Sequence, residues 1–117
     1  MTTRDTVQGY LDSVKQQRGW ESFLSDGVRF TSFTSPVKQL AGKPAYIEAT
    51  KGFYSKVASL ELRDLMIDAD RACALTRYEV RGQNGGTFTS DVAEVFTVKN
   101  GKIDSLAIYF DTAPYAK

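Results

Sequence analysis

The stretch from Ser90 to Asp111, SDVAEVFTVKNGKIDSLAIYFD, constrains the fold of this chain more than any other. It reads as two long strands joined at Lys99-Asn100-Gly101-Lys102, where Asn-Gly supplies the positive φ angles of a tight hairpin turn. Side chains alternate along a strand, so Val92, Glu94, Phe96 and Val98 share one face. Glu94 is therefore a carboxylate on an apolar face, which is costly unless the group is paired, hydrogen-bonded or held neutral. That placement points to a pocket.

The rest of the chain sets up a surface for this hairpin to close on. Thr3 or Asp5 caps a first helix whose apolar residues Val7, Tyr10, Leu11 and Val14 form one stripe, ending near Arg18-Gly19. Trp20 to Leu24 predicts a short second helix, ended by Asp26-Gly27. Val28 to Thr34 alternates as a half-buried strand with Val28, Phe30 and Ser32 on one face. Ser35 to Gly42 is expected to be a loop, punctuated by Pro36 and Gly42. A third helix starts at Lys43-Pro44 and runs to about Val57, with Tyr46, Ile47, Phe53, Tyr54 and Val57 as apolar positions. Period two follows: a strand marked by Leu60, Leu62 and Leu65 to Ile67, a turn at Asp68 to Arg71, a strand from Ala72 to Arg81, and a hairpin loop at Gly82 to Gly86. Helices first and antiparallel strands after predict one α+β domain over residues 1–117.

Composition excludes several classes of function. Among 117 residues, 15 basic and 14 acidic side chains are scattered in sign, so no basic stripe favours nucleic acid. No stretch approaches a membrane span, and the first residues hold no apolar signal segment, so the expected setting is cytoplasmic. The single cysteine, Cys73, has no partner for an intramolecular disulfide and reads as a packed thiol. Histidine is absent, which removes Ser-His and Cys-His nucleophilic pairs and His-based metal sites. No ligand pattern for a metal, nucleotide or flavin stands in the sequence, and no cofactor is expected.

With this element order in hand, the chain resembles the nuclear-transport-factor-2-like superfamily, the cone-shaped fold of ketosteroid isomerases and SnoaL-like polyketide cyclases. The resemblance is carried by Trp20 to Phe30, by Gly42 before the third helix, and above all by Glu94 to Ile103 followed by Ile108-Tyr109-Phe110-Asp111. It implies a curved mixed or antiparallel sheet wrapped around N-terminal helices, with a deep apolar cavity between them. By position, Tyr10 matches the ketosteroid-isomerase tyrosine of the first helix, and Glu94 the acid that stays protonated beside it, the two forming that enzyme's oxyanion hole. The isomerase's general-base aspartate falls at Ser32, which cannot abstract a carbon-bound proton without a separate base. The resemblance further implies a homodimer through the outer sheet face, where Arg77, Glu79 and Asp91 form a charge cluster.

Two readings stand for each site residue. Glu94 either pairs with a lysine or arginine at the rim, or acts as a neutral donor or general acid/base with Tyr10 as its hydrogen-bonding partner. Tyr10 is otherwise a core tyrosine whose hydroxyl finds a backbone partner. Phe30, Ser32, Tyr54, Thr76, Tyr78, Val92, Phe96, Ile108 and Phe110 are the expected substrate contacts. Asp111 reads as a strand-end cap or rim acid. These features predict a cofactor-free acid/base enzyme of the isomerase, cyclase, dehydratase or hydrolase type, acting on a small, largely apolar, carbonyl- or hydroxyl-bearing molecule. The alternatives are a non-catalytic binder of hydrophobic ligands, and a structural dimer whose cavity is filled by side chains such as Phe30, Phe53, Tyr78 and Phe96.

Overall fold

The computed structural model describes residues 2–34 and 36–116; Met1, Ser35 (the first residue of the expected loop) and Lys117 lie outside the described residues. Helix α1 spans Thr3–Gln16. Its N-cap is Thr2, one residue ahead of the expected position, and Asp5 closes a capping box back onto the Thr2 amide. The helix ends in a left-handed residue at Gln17, not at Gly19. Val7, Tyr10, Leu11 and Val14 are all buried, so the stripe faces the core.

Trp20–Phe23 is a single 3₁₀ turn in place of the short helix expected there. Strand β1 then runs over Leu24–Ser32, and its register against the last strand shifts between Leu24 and Arg29. Asp26-Gly27 therefore marks an irregularity within a strand and not the end of a helix. The loop expected over residues 35–42 holds a short edge strand, β2 (Lys38–Ala41), antiparallel to β1. Four residues with one half-buried side chain, Leu40, carry too little alternation to be read as a strand.

Helix α2 spans Lys43–Ser55, two residues shorter than expected, because Val57 already opens β3 (Val57–Asp68) and is buried there. Strands β4 (Arg71–Arg81), β5 (Thr87–Lys99) and β6 (Lys102–Phe110) complete the sheet, in the order β2-β1-β6-β5-β4-β3. Asn100 and Gly101 both take positive φ, as the hairpin turn requires. Only β1 and β6 run parallel, so the curved, unclosed sheet is mixed and the fold is α+β. A second 3₁₀ turn, Ala113–Ala116, follows β6.

Both helices cover one face of the sheet. The half beneath α1 is filled by Tyr10, Trp20, Phe96, Ile103 and Leu106, with Tyr10 packed edge-on against Trp20 and Phe96. The half beneath α2 is not filled, and the candidate site lies there. Among the described residues, no helix is long and apolar enough to cross a membrane.

Candidate functional site

A cavity of about 310 Å³ opens between α2, the inner face of the sheet and the turn after β6. A water molecule claims about 30 Å³ of liquid, so this space has the volume of a small organic molecule and is not filled by the lining side chains. Its apolar wall comes from Phe30 on β1, Phe53 on α2, Val92 on β5, and Leu106, Ile108 and Phe110 on β6. Ser32, Tyr54 and Tyr78 also line it. Two expected contacts do not. Phe96 is fully buried beneath Tyr10, in the filled half of the core, and Thr76 is hidden behind Glu94.

Glu94 is the acid of this cavity and is 2% exposed. Strict alternation along β4 and β5 puts it on the inner face, with Ala74 directly opposite and Thr76 and Tyr78 further along β4 on the same face. Glu94 Oε2 accepts hydrogen bonds from Thr76 Oγ1 at 2.7 Å and Tyr78 Oη at 2.9 Å. Oε1 makes no such bond, yet no sealed side-chain oxygen among the described residues lacks a partner, so Oε1 is open to the cavity. Among the described residues, no lysine or arginine pairs with Glu94. Burial accordingly pushes its pKa above the ordinary carboxylate value, against the two hydrogen bonds, which pull it down.

Tyr10 does not reach Glu94. Its hydroxyl is taken by two tyrosines of α2, Tyr46 and Tyr54, each at 2.6 Å, and these two stand 3.2 Å apart. Tyr46 and Tyr54 are eight residues apart, about 12 Å along the helix axis, and lean together over Tyr10. Tyr78 and Thr76 thus bond Glu94 where Tyr10 was expected to, while Tyr10 anchors a buried triangle of hydroxyls. Burial raises the pKa of Tyr10 and Tyr54 well above the usual tyrosine value, and negative charge on Glu94 adds to this. The same two causes raise Tyr78. Two short bonds in the triangle use two of its three protons, which leaves one for the longer contact or for a molecule beside Tyr46 and Tyr54.

Several wall residues were not legible in the sequence. Lys38 and Leu40 come from the short strand β2, and Tyr115 from the turn after β6, where no periodic pattern flags a side chain. Tyr46, Ala49 and Thr50 lie with Phe53 on one face of α2, which the helical spacing of Tyr46, Phe53 and Tyr54 foreshadows. Asp111 is exposed and its Oδ1 accepts the Ala113 amide, capping the strand end. Cys73 is free and half-buried on the opposite face of the sheet.

A family model for the SnoaL-like domain matches residues 7–106, and the chain belongs to that family, within the nuclear-transport-factor-2-like proteins. Solved structures agree on the fold. An NTF2-like protein of unknown function from Cytophaga hutchinsonii superposes with a TM-score of 0.80 at 18% identity, covering 100% of this chain and 96% of that one. A protein provisionally named a SnoaL-like polyketide cyclase, from a Jannaschia species, gives 0.77 at 15% identity over 98% and 92%. One provisionally named a ketosteroid isomerase, from Kribbella flavida, gives 0.76 at 15% over 95% and 78%. At these identities the likeness concerns the fold alone. No protein of curated function matches the sequence.

Proposed function

We propose that this protein is a cofactor-free acid/base enzyme of the isomerase or cyclase type, acting on a small, largely apolar carbonyl compound. The observation that carries this reading is Glu94: buried, without a cation, held through Oε2 by Thr76 and Tyr78, and open to the cavity at Oε1. In the proposed step, Glu94 Oε1 takes a proton from the carbon next to a carbonyl. The C–H electron pair becomes the C=C bond of an enolate, whose oxygen carries the charge. Tyr46 and Tyr54, beside Glu94 on the cavity wall, supply the hydrogen-bond donor for that oxygen. Glu94 then returns the proton to the same or another carbon. Glu94 itself thereby supplies the base that Ser32 cannot.

Thr76 suits a group that changes protonation. Its Oγ1 lies 2.7 Å from Glu94 Oε2 and 3.2 Å from the Val92 carbonyl. The hydroxyl proton points to the carboxylate when Glu94 is ionised. It stays there when Oε1 carries the transferred proton, because Oε2 remains an acceptor in both protonation states.

The test is deuterium wash-in at the α-carbons of cyclohexanone and 2-cyclohexenone, followed by NMR in D₂O. Exchange above background is expected for the native protein and a fall of at least about 10²-fold for Glu94→Gln. Binding of these probes with no exchange would instead support the second reading, a non-catalytic binding module, which the serine at position 32 favours. A homodimer through the outer sheet face, in the cytoplasm, is part of the same proposal. Leu75, Tyr109 and Phe33 are exposed on that face, with Phe33 stacked on Tyr109 at 4.9 Å.

A further inference from the structure

One wall of the cavity is not part of the sheet or the helices. Tyr115 belongs to the 3₁₀ turn Ala113–Ala116, which lies beyond β6. Its ring stands edge-on to Phe88 at 5.0 Å and to Phe110 at 5.3 Å. Its hydroxyl donates to Ser90 Oγ at 2.7 Å. Ser90 is fully buried on the inner face of β5, opposite Tyr78, and among the described residues Tyr115 is its one side-chain hydrogen-bond partner. Phe88 and Ser90 do not line the cavity; Tyr115 does, and so separates them from it.

The turn that carries Tyr115 is lightly held. Its other hydrogen bonds are local, from the Ala113 amide to Asp111 and from the Tyr115 amide to the Thr112 carbonyl. Among the described residues, the bond to Ser90 is the only hydrogen bond from this turn to the rest of the fold, and Tyr115 remains 39% exposed. A phenol ring thus sits in an aromatic slot with a serine at its base, on a turn that one hydrogen bond ties to the rest of the described fold.

We propose that this slot is a binding subsite for a hydroxylated aromatic ring, and that Tyr115 is its displaceable occupant. A ligand with a phenol at one end and a second ring at the other would set its hydroxyl on Ser90, push Tyr115 outward, and extend past Tyr78 toward Glu94. The size agrees: the chamber beside Glu94 equals about ten water volumes, enough for one ring, and the phenol slot adds a second. The inference rests on the cavity being a ligand pocket, as proposed above, and not on Glu94 being a base.

The experiment uses 4-methylphenol, toluene, 4-phenylphenol and cyclohexanone as calorimetric probes. Removing the ring in Tyr115→Ala is expected to create one additional 4-methylphenol site. That site should bind 4-methylphenol about tenfold tighter than toluene, the worth of one buried hydrogen bond, and Ser90→Ala in the same background should erase the preference. In the native protein, 4-phenylphenol should bind with loss of the ring-to-ring NOEs between Tyr115 and Phe88. Tyr115→Phe, which keeps the ring and drops the bond to Ser90, controls for folding and should ease that displacement. No added 4-methylphenol site in Tyr115→Ala, or 4-phenylphenol bound with those NOEs intact, overturns the subsite. Cyclohexanone binding reports the main chamber, so its absence would count against the pocket itself and is distinguishable from failure of the slot.

Discussion

Asp91 and Glu94 stand three residues apart on β5 and point to opposite sides of the sheet. Asp91 is exposed and paired with Arg77, whose Nε donates to Oδ1 at 2.8 Å; the Arg77 hydrogen bond pulls the Asp91 pKa below the ordinary value. Glu94 is buried, bonded to two hydroxyls and no cation, and its pKa is raised. The same chemical group is thus held ionised on one face and drawn toward its neutral form on the other. Period-two alternation, with nothing else changed, puts a structural acid and a candidate catalytic acid on one strand.

The contrast between the two acids is challenged most forcefully through the packing around Glu94. Tyr10→Ala removes a fully buried ring and is expected to cost about 3–5 kcal/mol in urea unfolding. Tyr10→Phe should cost about 1–3 kcal/mol, since Tyr46 and Tyr54 lose a common partner, and should leave the Glu94 titration nearly in place. A large change in the Glu94 titration in Tyr10→Phe would restore the direct coupling that the geometry denies.

Glu94→Gln tests the raised pKa. The native protein holds the Glu94 proton more tightly than the unfolded chain does. Its contribution is therefore fully present below the unfolded value, near 4.5, and is lost as pH rises toward the folded one. The glutamine variant lacks this loss, so its stability relative to wild type should grow with pH across that window. The growth amounts to about 1.4 kcal/mol for every pH unit separating the folded and unfolded pKa values. A pH-independent difference would mean that Glu94 is not perturbed.

Thr76→Val sharpens the same contrast at a smaller scale. It removes a donor to the carboxylate, so the Glu94 pKa should rise further, while Thr76→Ser restores it. Carbon-13 NMR of the side-chain carboxyl reads this directly. Asp91→Asn should matter least. The pair is surface-exposed, so a small change in stability that fades with added salt is expected. A comparable effect of Asp91→Asn and Glu94→Gln would dissolve the distinction between the faces.

Local chemistry decided much of this molecule in advance. The Asn100-Gly101 turn, the alternation of β4 and β5, the apolar stripe of α1 and the burial of Glu94 all follow from residue spacing, because periods of 2 and 3.6 are properties of the backbone. The absence of histidine likewise confines acid/base chemistry to carboxylates, tyrosines and cations. Partners were another matter. That Tyr10 bonds to Tyr46 and Tyr54, that Glu94 answers to Thr76 and Tyr78, and that Tyr115 closes the wall depend on how α2 and the last turn lie across the sheet. Spacing along one element says which way a side chain faces; only the packing of elements distant in sequence says which hydroxyl it meets there.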